Sequence, residues 1–200
     1  IASQLLPVVF SQLSDRVPFV FWAHSMGCWV AFELLMLMRK VGLPMPKMCA
    51  FNAFPPPTLP VASRPWRVNR QLSDKQMKDE LLLWDEGHFG KDGRGKVVYD
   101  EPEWTNTWLP MMRADFRVFD EYEFRHEGAP KFDFPIVARH FEGEHFMKPE
   151  FVESWRDWTT GPFEFEILPG MGHLTCVYNP PTKKIYFAKV TESIKSFAGL

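Results

Sequence analysis

No stretch of this chain approaches the roughly 18 to 20 consecutive apolar residues that a membrane-spanning helix needs, so no helical span is expected. Cysteine is scarce: Cys28, Cys49 and Cys176 are widely spaced and odd in number. That fits neither a disulfide framework nor zinc-ligand spacing, and it makes a reducing compartment, the cytoplasm or another, the default. An excess of one charge is also lacking. The 23 basic and 25 acidic residues leave a formal net charge of -2, with no basic run, which argues against a nucleic acid or an anionic membrane surface as partner. Repeats and low-complexity segments are absent, apart from Pro55-Pro56-Pro57. The start, Ile1-Ala2-Ser3-Gln4, has neither a methionine nor the charged region of a signal peptide. Ile1, Leu5, Leu6, Val9, Phe10 and Leu13 recur at helical spacing. The chain is therefore expected to begin partway into a helix of something larger, with any targeting signal upstream.

What is present suffices for one sizeable domain over residues 1–200; nothing in it indicates an oligomeric state. A strand rich in Phe and Val is expected over Pro18–Trp22, behind polar Asp15 and Arg16. Cys28–Val41 is apolar on nearly every face, as a buried helix is, with Arg39 and Lys40 in its last turn and Gly42 as its stop. Lys47–Phe54 reads as a second buried strand, ended by the prolines. Residues 58–124 read as a helical insertion over the sheet, with helices at Ser73–Trp84 and Trp108–Phe124 around a polar loop, Asp85–Tyr99. Strands at Phe134–Phe141 and Phe163–Leu168 flank a helix at Lys148–Trp158. In the closing helix, Lys184–Phe197, the apolar positions Ile185, Phe187, Val190, Ile194 and Phe197 are expected to cover a sheet face. This alternation predicts an α/β fold with an open, mostly parallel sheet.

In such a sheet, reactive groups gather on loops beyond the carboxyl ends of the strands. Ala23-His24-Ser25-Met26-Gly27 follows a strand and precedes a buried helix, the order a nucleophile elbow requires. A sharp turn there would lift the Ser25 hydroxyl above the sheet and offer the Met26 N–H to a developing oxyanion. The plainer reading of Ser25 is a cap where a strand ends. A serine hydroxyl is a weak nucleophile without a base, and histidine can both take and return a proton near neutrality. His173 is the candidate, in Pro169-Gly170-Met171-Gly172-His173 directly after the last expected strand; otherwise it caps a turn. An acid should lie between them to hold the imidazole tautomer. In Phe141-Glu142-Gly143-Glu144-His145-Phe146, Glu144 is the first choice; Glu142 is assigned to the strand, and Asp115 and Asp133 stand in reserve. An exposed loop carboxylate needs no function to explain it. His24, His88, His126, His140 and His145 are assigned to packing or solvated surface, and for His88 no partners for a metal site are found. The many Trp and Met residues read as core and lid packing, and a Met-rich, aromatic lid would also suit an acyl chain.

Three segments together resemble a known family. Ala23-His24-Ser25-Met26-Gly27 with Ala31-Phe32-Glu33-Leu34, the run Leu109-Pro110-Met111-Met112-Arg113-Ala114-Asp115-Phe116 with Glu121-Tyr122, and the late His173 are similar to the type II thioesterases of polyketide, nonribosomal peptide and fatty-acid synthesis. The similarity runs from about Pro18 to Phe197, and its most specific part is the R-A-D-F segment. The resemblance implies an α/β-hydrolase in which Ser25 takes an acyl group from a phosphopantetheine thioester, on an acyl carrier protein or coenzyme A. It also implies His173 as base, the Met26 N–H as half of an oxyanion hole, and no metal or redox cofactor. Three departures stand out: Ala23 replaces the first glycine of the elbow, Met171 the first glycine of G-G-H, and Glu144 the family's aspartate. The family's opening strands, with the second oxyanion donor, would precede Ile1. Two rivals remain open: a non-catalytic hydrolase-fold subunit kept for binding, and an esterase or acyltransferase using the same three side chains.

Overall fold

The computed structural model describes residues 1–13 and 17–199; Asp15 and Arg16, expected beside the first strand, lie outside the described residues. In chain order come α1 (Ala2–Leu13), β1 (Phe21–His24), α2 (Gly27–Lys40), β2 (Cys49–Asn52), α3 (Asp74–Trp84), α4 (Glu86–Phe89) and α5 (Leu109–Asp120). Then follow β3 (Ile136–Phe141), α6 (Pro149–Glu153), β4 (Phe163–Leu168), α7 (Thr175–Tyr178) and α8 (Pro180–Ser193). The strands form one parallel sheet in the order β1-β2-β3-β4. Its register pairs Phe21 with Cys49, Cys49 with Ile136 and Ile136 with Phe163. Every residue of β2 and β3 is buried, as expected of parallel strands covered on both faces. Alternate residues serve the two faces: Phe51, Ile136 and Ala138 join the main aromatic core, whereas Ala50 and Val137 meet Ile194 and Phe197 on the other side.

Where the elements depart from the periodicity, hydrogen bonding supplies the reason. The first strand runs from Phe21 to His24 instead of starting at Pro18, since proline has no N–H for a ladder and pairing with β2 extends through His24 opposite Asn52. The polar loop after Trp84 holds α4 and a 3₁₀ turn, Arg94–Tyr99. The long helix expected to reach Phe124 ends at Asp120 and is preceded by a π turn, Trp104–Trp108. Lys148–Trp158 divides into α6 and a 3₁₀ turn, Ser154–Trp158, where the Ser154 hydroxyl donates to Phe151 O. In α8 the buried face is Tyr186, Val190 and Ser193, while Ile185 and Phe187 are exposed at 55% and 39%. Polar partners set that rotation. The fully buried Arg139 donates to Ser193 Oγ, Lys189 O and Glu166, and Tyr186 Oη accepts the Trp22 indole N–H.

The stretch between β2 and β3 is held by aromatic packing and by arginine donors. Trp66, Trp84 and Phe119 pack with Phe54, their ring centroids 5.1 to 6.3 Å apart. Ser73 and Gln76 form a reciprocal capping box at the start of α3. Arg113, the arginine of R-A-D-F, ties α5 to the start of α3 and the chain before it by donating to Asn69 O, Leu72 O and Asp74. Tyr122 donates to Glu33 at 2.5 Å, so the A-F-E and E-Y motifs meet, anchoring the end of this stretch to α2.

Candidate active site

All four strands point the same way, so their carboxyl ends share one edge of the sheet. Ser25 lies just past β1 with φ 55°, the strained turn conformation of a nucleophile elbow. Its own N–H is held by Asn52 O at 2.9 Å, and its carbonyl accepts the Cys28 N–H at 2.8 Å. Met26, with φ -51° and ψ -27°, is the N-cap of α2, where backbone N–H groups lack intrahelical acceptors. Ala23, in place of the elbow's usual glycine, packs in the core at 6% exposure, and its carbonyl accepts the Asn52 amide at 2.7 Å.

The loops after β3 and β4 bring the other two candidates to this serine. His173 Nε2 lies 2.7 Å from Ser25 Oγ, and His173 Nδ1 lies 2.9 and 3.1 Å from the two carboxylate oxygens of Glu144. A carboxylate on Nδ1 places the proton there and leaves Nε2 to accept from the serine hydroxyl. Both side chains are withdrawn from water, His173 at 5% and Glu144 at 1% exposure. Burial raises the Glu144 carboxyl above its ordinary range, and His173 pulls it back. The Gly143 N–H donates to Met171 O at 2.8 Å, which fastens the loop of Glu144 to the loop of His173.

Other expectations fall out differently. Glu142 is the first residue past β3, not part of it; its N–H still reaches Leu168 O, while its carboxylate accepts the Gly170 N–H at 3.1 Å. Asp115 is exposed on α5 at the rim of the cavity beside Ser25. Asp133 is exposed before β3, at the amino end of that strand and away from the reacting edge. His24 is more than packing: its Nε2–H donates to His173 O at 2.8 Å. Burial first, then the nearby His173, lower its pKa to about 3, so it donates as a neutral ring. His126 bonds Glu33, His140 is buried within β3, His88 lies against Phe89 and Tyr178, and His145 is exposed against Phe146.

Two residues of the helical stretch escaped the sequence reading. Trp84 sets its ring edge-on to His173, centroids 5.0 Å apart. Asp85 is 3% exposed and accepts the N–H groups of Leu174 and Thr175, directly after His173. Its only sequence signal is that of an ordinary helix cap before Glu86. Above Ser25, Met26 and His173 lies a cavity of about 240 Å³, walled mainly by Leu81, Trp84, Phe89, Phe116 and Phe119. Larger hollows elsewhere contain none of Ser25, His173 or Glu144. Among the described residues no cluster of His, Cys, Asp and Glu is placed to hold a metal ion, and no helix is long and apolar enough to cross a membrane. The cysteines are free and buried.

A family model described as a thioesterase domain matches residues 1–182. The gramicidin S biosynthesis protein GrsT of Aneurinibacillus migulanus is 26% identical over 169 residues, which are 84% of this chain and 61% of GrsT. The chain thus spans about six tenths of that curated relative. The solved structure of RedJ, a thioesterase of the prodiginine pathway in Streptomyces coelicolor, is 25% identical with a TM-score of 0.73, covering 96% of this chain and 68% of RedJ. BorB, a type II thioesterase of the borrelidin cluster, is 25% identical with a TM-score of 0.65, covering 92% of this chain and 69% of BorB. With the parallel sheet and its elbow turn agreeing with these likenesses, the chain belongs to the thioesterase domain family and has the α/β-hydrolase fold.

Proposed function

We propose that the chain is the catalytic part of a serine thioesterase that hydrolyses acyl thioesters carried on phosphopantetheine, borne by an acyl carrier protein or by coenzyme A. The observation that carries this reading is the 2.7 Å approach of His173 Nε2 to Ser25 Oγ, with Nδ1 held by a buried Glu144. Ser25 Oγ attacks the thioester carbonyl carbon as its proton passes to His173 Nε2. Glu144 stabilises the resulting imidazolium and fixes its orientation. The carbonyl oxygen, now negative, faces the Met26 N–H, and one such donor is worth roughly a hundredfold or more in rate. Collapse of the tetrahedral intermediate breaks the C–S bond, and the thiol leaves with the proton from His173. Water then gives a proton to the same nitrogen and attacks the acyl-serine; the acid departs and Ser25 recovers its hydrogen.

The cavity above Ser25 supports an apolar acyl group as the part released. A dry cavity of roughly 150 Å³ holds benzene, so the 240 Å³ found here has room for a longer chain or a substituted ring. Residues 58–124 serve as its lid within a single domain, since Leu81, Trp84 and Phe116 wall the space. Two measurements on acyl-pantetheine substrates test the reading: a fluorophosphonate should label Ser25, and Ser25→Ala should abolish hydrolysis. Unchanged turnover in Ser25→Ala, or a serine that stays unlabelled, overturns it. Transfer of the acyl group to an added alcohol or amine in preference to water would redefine the enzyme as an acyltransferase.

A further inference from the structure

Asp85 stands where α3 gives way to α4, and it is 3% exposed. Its Oδ1 accepts the His88 N–H at 2.9 Å and so caps α4. Its Oδ2 accepts two further N–H groups, Leu174 at 2.6 Å and Thr175 at 2.7 Å. Gly172 makes the approach possible, for a Cβ there would lie 2.8 Å from Oδ2. The loop carrying His173 is thus gripped from two sides. From the sheet come the His24 N–H on His173 O and the Gly143 N–H on Met171 O; from the lid come Asp85 on the residues just after His173 and Trp84 against its ring.

A buried carboxylate bonded to N–H groups makes strong, short hydrogen bonds, and it is costly to leave without them. The partnership therefore binds both ways. Moving the loop strands the carboxylate, and moving the carboxylate frees the loop. No step of hydrolysis uses Asp85, and no hydrogen bond among the described residues joins it to Ser25, Glu144 or the His173 ring. We infer that Asp85 is a positioning residue, a lid-borne carboxylate that sets His173 against Ser25 by holding the Leu174 and Thr175 N–H groups. This rests on the hydrolase reading above, and it couples the state of the lid to the competence of the base.

The test compares Asp85→Ala and Asp85→Asn with the unaltered chain by thioester kinetics, melting temperature and proton NMR with labelled histidine. The Nδ1–H of His173, bonded to Glu144, should give a far-downfield resonance. Asp85→Ala should lower kcat roughly a hundredfold, the cost of a base misplaced by about 1 Å, with KM unchanged and that resonance shifted or lost. Asp85→Asn, whose amide oxygen can still accept from Leu174 and Thr175, should recover part of both. If Asp85→Ala keeps the rate and the resonance, or lowers only the melting temperature, the inference is wrong. If the unaltered chain fails to hydrolyse thioesters, the hydrolase reading falls while the resonance still decides on Asp85. Should Asp85→Ala not fold, Gly172→Ala crowds Oδ2 with the charge kept, and an undisturbed rate and resonance there would equally overturn the assignment.

Discussion

The carboxyl edge of the sheet and the helical stretch above it, the proposed lid, hold their shapes by different means. At the sheet edge, Ser25, Glu144 and His173 leave the ends of parallel strands, so a backbone ladder with fixed register decides where they meet. Among the described residues the helical stretch adds no strand to the sheet; Arg113, Asp85, Glu80 and a packed set of indole and phenyl rings hold it through side chains. Backbone geometry tolerates a change of side chain, whereas side-chain geometry does not. Substitutions at the sheet edge should therefore cost rate with little stability, and those in the lid, Asp85 apart, should cost stability first.

The largest effect should come from Ser25→Ala or His173→Ala, which should lower kcat roughly 10⁴-fold or more with the melting temperature nearly unchanged. A large fall in melting temperature would erase the contrast. Glu144→Gln comes next, since it keeps the shape but no longer fixes the tautomer, and should cost roughly 10³- to 10⁴-fold. Glu144→Asp, with the charge kept and the reach shortened, should lose less, and steady-state kinetics will rank the two. In the lid, Arg113→Ala removes the bonds to Asn69, Leu72 and Asp74 and should cost about 1–3 kcal/mol of stability, read from urea unfolding. A rate loss as great as that of Glu144→Gln would show the lid to be part of the chemistry rather than its cover.

The smallest effect at neutral pH belongs to His24. Its pKa is about 3 when folded against an ordinary 6.5, so the unfolded chain binds the proton more readily. Stability is therefore fully present above about 6.5 and is lost as pH falls toward 3. His24→Asn, which keeps a donor for His173 O, should flatten that slope, sparing at most roughly 3 to 4 kcal/mol of the stability otherwise lost by about pH 4. Glu144 acts in the opposite sense, because burial raises its carboxyl and the folded chain gains stability as the carboxylate range is entered from above.

This difference also explains what could be read beforehand. The strands before the two loops were legible because Phe163–Leu168 alternates and the run before Ser25 is short and apolar, though the ends of that first strand were not, and parallel topology then sends Ser25, Glu144 and His173 to one edge. The rotation of α8 was not, because it answers to Arg139 and Trp22, distant residues whose hydrogen bonds outweigh the exposure of Ile185 and Phe187. Asp85 was hidden for the same reason. In sequence it is a polar residue in a polar loop, and only the fold delivers the N–H groups of Leu174 and Thr175 to it. His24 beside the elbow looked like packing, and the carbonyl it serves lies 149 residues away.

Those separations carry a kinetic consequence. Ser25 and His173 meet across 148 residues and Asp85 reaches Thr175 across 90, so the site closes only after long loops have been drawn together, which is slow relative to local helix formation. A refolding chain should regain its helical circular dichroism before Ser25 becomes reactive toward a fluorophosphonate. The interval between the two signals measures how long the molecule exists with its helices formed and Ser25 still inert.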